Sequence, residues 1–364
     1  MNIVVAVLLV IALIGLVDMV LGNRFHLAGE FTKGLELMGS IAISVVGLYC
    51  MGVYLSERFA EPIARLAAVL PFDPSVIIGS LLCPDTGALP VALRIAASRP
   101  VALYCGMVIS TMIGVTISFN LPAALNTLKS REDLSLLMRG VVIGLIAIFP
   151  GIIAGALILR LPMSDFISNT IPILVLCVVL ALGLKLSSRI TTRILTGFAN
   201  VIRAISLAFF AIVTLGVFVP RFALADSDLV ADAFICVGKM MAVVCGAMVF
   251  SRLLMVFCKG PLRRLADLMG TDEYAVNGLL LSMVTVFAML PLFPKMDRRG
   301  KLINAAFTVA GGYLIGSQMA FVSGMNRSGE VAAYFISKII AGICAIAVIC
   351  LIEKSKKTVD KPDV

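Results

Sequence analysis

The sequence predicts an all-α polytopic membrane protein built of two inverted repeats, and three observations support this class. The chain has 364 residues, of which 60% are hydrophobic and 14% charged, with a mean hydropathy of +1.08. Soluble domains carry about 25% charged residues. Several apolar runs of about 20 residues are each long enough to cross a bilayer as a helix. Finally, one gap-free offset aligns the two halves of the chain.

Eleven candidate membrane segments follow from the apolar runs. They are 3–21, 34–56, 72–97, 100–125, 135–160, 166–185, 200–220, 232–257, 273–294, 301–323 and 331–352. The first run lacks a basic stretch before it and an obvious small-residue cleavage site after it, so we expect a retained helix rather than a signal peptide. Two segments are exceptional. Segment 72–97 is interrupted by three prolines, and segment 273–294 is short and ends in two.

The offset of 199 residues indicates an internal duplication. It aligns Gly39 with Gly238, Gly47 with Gly246, Pro62 with Pro261, Arg65-Leu66-Ala67 with Arg264-Leu265-Ala266, Asp73 with Asp272 and Gly79 with Gly278. We therefore predict a first repeat over 1–160, a linker helix within 161–199, a second repeat over 200–355 and a tail over 356–364. Internal repeats are the usual construction of secondary transporters, and the substrate site lies where the repeats meet.

The distribution of Lys and Arg favours inverted rather than parallel repeats. If all eleven segments cross the membrane, the loop and tail cations divide almost evenly between its two sides. If 72–97 and 273–294 are re-entrant hairpins, the cations divide 18 against 7, which is the asymmetry expected between cytoplasm and exterior. We therefore expect nine full spans, two hairpins, an outside N-terminus and a cytoplasmic tail.

The two predicted hairpin tips are the expected substrate site. Non-helical backbone at membrane depth persists only where protein or a water-filled cavity satisfies it. An ionisable residue at that depth, here Asp85 within Cys83-Pro84-Asp85-Thr86-Gly87, is a functional candidate by default. The candidate substrate-binding residues are Asp85 and Thr86 at the first tip, Ser282 and Thr285 at the second, and Thr111, Thr116, Asn120, Asn304, Ser317 and Gln318 on the helices that follow.

Each of these residues also has a purely structural interpretation. Asp85 could cap the hairpin tip or form a buried pair with an arginine. Small hydroxyl residues allow helices to approach closely, and they can donate hydrogen bonds within their own helix. Asp18 and Glu36 lie near helix ends, where capping or interfacial roles are favoured. As a functional group, the Asp85 carboxylate suits a cationic substrate or a coupling Na⁺ or H⁺.

Composition excludes several other functions. His26 is the only histidine, so a histidine-rich metal site is excluded, and so is a Ser-His-Asp triad other than one that uses His26. There is no G-x-x-x-x-G-K-[ST] loop for ATP hydrolysis. We expect no cofactor and no metal. We also expect no nucleic-acid partner, because the net charge of +9 is explained by the orientation of the chain in the membrane. The expected partners are the lipid bilayer and a small polar substrate. The choice between a monomer and a homo-oligomer stays open.

Several motifs resemble those of the bacterial ethanolamine permease family. The most specific is Met296-Asp297-x-Arg299-Gly300-Lys301-x-Ile303-Asn304, and others are Val17-Asp18, Cys83-Pro84-Asp85-Thr86-Gly87, Met112-Ile113-Gly114-Val115-Thr116 and Ala181-Leu182-Gly183-Leu184-Lys185. The resemblance covers nearly the whole chain. It implies uptake of protonated ethanolamine across the bacterial inner membrane. The chain departs from the family pattern at two places: Gly316-Ser317-Gln318 replaces Gly-Asp-His, and Thr285-Val286 replaces an Asn-Asn pair.

Three functions are therefore weighed. The first is a transporter or facilitator for a small amino alcohol such as ethanolamine. The second is a secondary transporter of another amine, zwitterion or anion, with Asp85 binding a coupling Na⁺ or H⁺. The third is a membrane enzyme acting on a lipid head group, which is disfavoured because the apolar runs hold no close pair of carboxylates.

Overall fold

The computed structural model describes residues 3–223, 226–325 and 328–359, which form helices and no strands. The α-helices are α1 Ile3–Val20, α2 Ala28–Arg58, α3 Ala60–Val69, α4 Ser75–Leu81, α5 Ala88–Ile95, α6 Arg99–Leu103, α7 Leu121–Thr127, α8 Arg131–Ala147, α9 Phe149–Ile158, α10 Met163–Phe218, α11 Ser227–Phe257, α12 Lys259–Met269, α13 Glu273–Val284, α14 Val286–Met289, α15 Arg298–Ala310, α16 Ser317–Met325 and α17 Ser328–Val359. Short 3₁₀ turns cover Pro84–Thr86, Pro220–Phe222 and Phe293–Lys295.

One helix forms the centre of the molecule. Between α6 and α7 the chain is wound as a π-helix over Tyr104–Gly114 and Thr116–Asn120, so the chain is helical from α6 to α7. In the most apolar 18 residues of Arg99–Leu125, 100% of the residues are buried, whereas in α1 only 22% are. A helix that is apolar on all sides and buried on all sides belongs to the core of a bundle.

Among the described residues, seven helices are long and apolar enough to span a membrane, which makes the chain a multi-pass membrane protein. They are Ile3–Val20, Arg99–Leu125, Arg131–Ile158, Met163–Ser187, Arg189–Phe218, Ser227–Phe257 and Gly329–Glu353. α2 is also long, and it includes the apolar stretch Val45–Ser56. Many large apolar side chains of α1 and α10 are exposed, as expected of surfaces that face lipid.

The element α10 contains two arms rather than one long rod. Ser187 has a non-helical backbone at φ −147° and ψ 72°. A Cβ built on Gly183 would lie 2.8 Å from Oγ1 of Thr191, whereas eight residues of straight helix span about 12 Å. The chain therefore folds back at Ser187. The two arms correspond to the predicted segments 166–185 and 200–220.

The two proline-containing segments, 72–97 and 273–294, each have their two ends held together by one carboxylate; we call them the proline-rich segments. The Asp73 carboxylate accepts hydrogen bonds from the N–H of Ser75, at the start of α4, and from the N–H of Ala97, just after α5. Likewise the Asp272 carboxylate accepts from the N–H of Ala275 in α13 and from the N–H of Asp297. We call these two carboxylates the clasps. The bonded residues are 24 positions apart in the first segment and 25 positions apart in the second.

The predicted span 301–323 differs from the structure. It is divided into α15 and α16, and residues 311–316 between them are not helical. The reason is tertiary: the N–H of Tyr313 donates to Ser282 O at 2.8 Å, and the N–H of Ile315 donates to Met283 O at 2.9 Å. These bonds to the end of α13 replace the helical bonds that the N–H groups of Tyr313 and Ile315 would otherwise make.

Near the first end of the bundle, Asp18 performs a capping role. Its carboxylate accepts hydrogen bonds from the N–H groups of Phe25, Leu27 and Ala28 at 2.8 to 3.1 Å. Phe25 and Leu27 lie just before α2 and Ala28 is its first residue, a position where backbone N–H groups have no partner within the helix. Asp18 therefore fixes the connection between α1 and α2.

Candidate functional site

Three interruptions of helical backbone converge near the middle of the bundle. The first lies between α4 and α5, the second at Thr285 between α13 and α14, and the third spans 311–316. Glycines permit the approach: a Cβ on Gly114 would collide with the Leu82 carbonyl, and a Cβ on Gly316 would collide with the Val284 carbonyl. Freed carbonyls and N–H groups thus gather at one place, as in the broken helices of transporters.

Asp85 lies in the 3₁₀ turn of the first interruption and is only 6% exposed. Its carboxylate lies within hydrogen-bonding reach of Ser317, the first residue of α16, and interacts electrostatically with Lys338. The N-terminus of a helix carries a partial positive charge that favours a carboxylate. The structure therefore stabilises Asp85 from two sides, by the end of α16 and by a cation on α17.

Lys338 is the cation, and it is 0% exposed. Its Nζ donates to the carbonyl oxygen of Thr111 at 2.8 Å and to the carbonyl oxygen of Gly312. It also lies 5.7 Å from the centre of the Tyr334 ring, within the range of a cation–π contact. We call the Thr111 carbonyl, the Gly312 carbonyl and the Tyr334 ring the ammonium cradle.

Tyr313 links the cradle to the surrounding helices. Its backbone has φ 61°, a left-handed conformation that is uncommon for a residue other than glycine. Its hydroxyl donates to Asn120 Oδ1 at 3.1 Å, and its carbonyl accepts from the hydroxyl of Tyr334. Asn120 in turn donates to Thr308 O at 3.1 Å. A strained residue held by several partners is typical of a functional region.

Several candidate hydroxyls bond within their own helix. Thr111 donates to Val108 O, Thr116 to Met112 O, and Ser282 to Leu279 O, at 2.6 to 3.0 Å. Their donors are therefore used, and Thr111 contributes to the site through its carbonyl oxygen instead. Asn304 donates to Ala275 O and Gly300 O, so its amide joins α13 to α15.

Three candidates, Gln318, Asn304 and Thr285, retain a buried side-chain oxygen without a hydrogen-bond partner, and Gln318 is the one beside Ser317 at the start of α16. Its side chain is 1% exposed, and its Oε1 has no hydrogen-bond partner in the structure. A buried carbonyl oxygen without a donor costs about 1–3 kcal/mol, so a donor from a bound molecule would be favourable there. Thr285 is 4% exposed and lies near the Tyr313 hydroxyl. The side chain of Thr86 lies outside the described part of the chain.

A separate cavity of about 280 Å³ lies beside the first interruption. Its lining is almost entirely apolar and comes from α2, α3, α4 and α5, with Gly87 at its edge. A small polar solute would lose hydrogen bonds to water there without gaining others. This cavity therefore does not suit the expected substrate.

Sequence reasoning placed Asp85, Ser317 and Gln318 together, but it missed Lys338, Tyr313 and Tyr334. A lone lysine inside the apolar run of α17 was a usable signal, because the rule that singled out Asp85 applies to any charge at membrane depth. The two tyrosines gave no such signal, since tyrosine is common in membrane helices as a packing residue.

The long apolar helices make the chain a multi-pass membrane protein, and interrupted helices with buried charges beside them are typical of membrane transporters. The family model "Ethanolamine utilisation protein, EutH" matches residues 1–352, and the chain belongs to this family. This match confirms the resemblance found in the sequence.

Curated relatives agree with the family assignment. A protein of Listeria monocytogenes serotype 1/2a (strain 10403S) is 26% identical over 352 residues, covering 95% of this chain and 92% of the relative. A Salmonella typhimurium protein is 28% identical over 351 residues, covering 88% and 84%. One from Escherichia coli K12 is 27% identical over 367 residues, covering 92% and 88%. All three carry the name "Probable ethanolamine permease EutH". No solved structure matches the chain.

Proposed function

We propose that the protein takes up a small amino alcohol, ethanolamine in its protonated form, across the bacterial cytoplasmic membrane. The observation that carries the proposal is a buried carboxylate, Asp85, placed among helix interruptions in a chain of this family. Ethanolamine offers an ammonium for Asp85 and a hydroxyl for an acceptor such as the Gln318 carbonyl. Ser317 supplies a further hydroxyl next to Asp85, and Thr285 supplies one near the Tyr313 hydroxyl.

The proposed architecture is a pair of inverted repeats, and the helix bounds support it. α2 and α11 both begin and end 199 residues apart, at Ala28 and Ser227 and at Arg58 and Phe257. The contacts of glycines also correspond. A Cβ on Gly47 would meet Ser206 in α10, while a Cβ on Gly246 would meet Leu8 in α1. Such an exchange of contacts between halves is the pattern of a two-fold axis.

The direction of the repeats follows from counting crossings between the clasps. After Ala97 the chain passes through Arg99–Leu125, Arg131–Ile158, Met163–Ser187, Arg189–Phe218 and Ser227–Phe257, which are five candidate spans, before it reaches Asp272. An odd number of crossings puts the two clasps on opposite faces of the membrane. Each proline-rich segment then enters from its own face and returns to it, and the repeats are inverted. The excess of Lys and Arg expected on the cytoplasmic side then sets the orientation, with the N-terminus outside and the tail in the cytoplasm.

Transport by alternating access follows from this arrangement. In transporters of this construction, one repeat or bundle rocks against the other around a fixed central site. Here the proline-rich segments contact the central π-helix and α16 through glycines and backbone carbonyls. Because these contacts involve few side chains, the segments can move without breaking many packing interactions.

The test is uptake of labelled ethanolamine by cells that produce wild type or Asp85→Asn. The variant keeps shape but loses the negative charge, so uptake falls to the level of cells without the protein while membrane insertion persists. Glu61→Gln is the matched control, because Glu61 pairs with Arg65 at an exposed position outside the site. Undiminished uptake by Asp85→Asn overturns the proposal.

A second candidate, transport of a zwitterion, is favoured by Lys338. A buried carboxylate beside a buried ammonium matches the two charges of an amino acid, and Ser317-Gln318 departs from the family pattern at this place. Competition of labelled ethanolamine uptake by ethylamine, glycine and β-alanine separates the two. Stronger inhibition by the amino acids than by unlabelled ethanolamine favours the zwitterion.

A further inference from the structure

Lys338 bears the same chemical group as the proposed substrate. Its side chain ends in a primary ammonium on a CH₂ group, and so does protonated ethanolamine. The ammonium is held by two carbonyl oxygens and an aromatic ring, at the point where it also balances Asp85. These are the groups that would bind any primary ammonium.

We propose that Lys338 is a tethered surrogate of the substrate, which fills the ammonium cradle when the transporter is empty and is displaced by the incoming amine. This inference rests on the proposed function, because it requires that a primary amine is carried. It assigns a specificity-determining role to Lys338, and it assigns the substrate class as small primary ammonium ions.

The geometry supports displacement rather than a purely structural bond. Lysine has a flexible four-carbon stem and a single point charge, so it can leave one set of acceptors for another. Two ammonium ions cannot share the cradle, because like charges at such distances repel strongly in a low dielectric. Gly312 O belongs to an interruption rather than to a helix, so the acceptor itself can move when the site opens.

The surrogate role explains how the transporter can reorient across the membrane when no substrate is bound. An uncompensated Asp85 at membrane depth would oppose movement of the empty site across the membrane barrier, as any buried unpaired charge does. With Lys338 in the cradle the empty site carries a balanced pair of charges. The transporter can then reorient without a bound Na⁺, because the lysine supplies the cation.

The experiment compares net uptake with exchange in proteoliposomes. Exchange of labelled for unlabelled ethanolamine needs only the loaded transporter to reorient, whereas net uptake also needs the empty one. In Lys338→Met the substrate has no competitor for the cradle, so we expect exchange to persist. The empty site then carries an unbalanced Asp85, so we expect net uptake to fall by about tenfold or more. Lys301→Gln is the matched control: Lys301 pairs with Asp133 at 2.6 Å, outside the site, and its loss should affect both modes alike.

A second variant covers the case in which Lys338→Met does not reach the membrane. Lys338→Arg keeps a buried cation whose guanidinium binds carbonyls through several donors. The substrate then displaces it less readily, and we expect the KM for exchange to rise by about tenfold with the protein folded. An unchanged KM, or a parallel loss of exchange and net uptake in Lys338→Met, overturns the surrogate role. Absence of both modes in wild type would instead contradict the proposed function.

Discussion

Oδ2 of Asp73 accepts a hydrogen bond from the N–H of Ala97 at 2.8 Å, although 24 residues separate them. Asp272 makes the equivalent bond to the N–H of Asp297 at 2.7 Å, across 25 residues. The two clasps are thus the same device used twice. Each holds the start of a proline-rich segment against its end, which a segment that crossed a bilayer of about 30 Å could not do.

The first prediction concerns the faces on which these segments open. Single cysteines introduced at Arg65 and Ala97 should react with a membrane-impermeant maleimide in intact cells. Cysteines at Arg264 and Lys295 should react only after permeabilisation. All four positions are exposed, and the protein without an added cysteine gives the background, since its nine native cysteines are buried or partly buried. Labelling of positions 65 and 97 from opposite faces would contradict both hairpins and inverted repeats.

The second prediction tests the clasp itself. Asp73→Ala removes the acceptor for Ser75 and Ala97 together, so the free energy of unfolding should fall by about 2–4 kcal/mol, from a lost cap and a lost charged hydrogen bond. Thermal unfolding of the purified protein in detergent measures the change. Glu61→Ala is the control, because its ion pair with Arg65 is exposed and contributes less than about 1 kcal/mol. Equal melting temperatures for the two variants would show that the clasp is dispensable.

These predictions use features that the sequence revealed only in part. Prolines and Asp85 marked the first interruption, because proline removes a helical donor and a charge at membrane depth needs a partner. The division of 301–323 into α15 and α16 was not foreseen, because it depends on hydrogen bonds from Tyr313 and Ile315 to α13. Local propensity cannot report bonds between distant segments.

The same limit applies to the cradle. Lys338 and its acceptor Thr111 are 227 residues apart, and the pairing is visible only once α17 is packed against the central π-helix. The offset of 199 residues placed Lys338 opposite Arg139, which is exposed in α8. The proposed repeat symmetry therefore does not extend to the charge at this position, and the offset alone could not predict the buried lysine.

The third prediction concerns the pairing of Asp85 with Lys338. Asp85 and Lys338 are both buried and interact electrostatically, and removing one of two such charges leaves the other unbalanced, at a cost of up to about 3–5 kcal/mol. Asp85→Asn and Lys338→Met should therefore each destabilise the protein by this order. The double variant should be less destabilised than the sum, with a coupling of roughly 0.5–3 kcal/mol measured by thermal unfolding. Strict additivity would show that the two charges do not interact.

The fourth prediction tests the close approach at the third interruption. Gly316→Ala places a methyl group against the Val284 carbonyl, and relief requires a backbone shift that costs about 1–3 kcal/mol or more. Folded protein recovered from the membrane should decrease, with a lower melting temperature. Gly238→Ala in α11 is the control, since a Cβ there meets nothing within 4 Å and alanine favours a helix by about 1 kcal/mol. Similar behaviour of both variants would remove the glycine argument.

The last prediction asks whether Gln318 recognises the hydroxyl of the substrate. Its Oε1 is buried without a donor, and ethanolamine differs from ethylamine by one hydroxyl group. A site that binds a hydroxyl through a buried acceptor discriminates strongly against the analogue that lacks it. In wild type, ethanolamine should therefore inhibit labelled uptake at a lower concentration than ethylamine does. Gln318→Leu should raise the inhibitory concentration of ethanolamine by about 10- to 100-fold, which corresponds to a buried hydrogen bond of about 1–3 kcal/mol. The value for ethylamine should change little, because its ammonium still meets Asp85.

Asn304→Leu is the comparison, since Asn304 also has an unused buried oxygen but donates to Ala275 O and Gly300 O in the α13–α15 contact. Its loss should lower stability without changing the ratio of the two inhibitory concentrations. If Gln318→Leu raises the inhibitory concentrations of both amines equally, Gln318 contributes to the shape of the site but does not bind the hydroxyl.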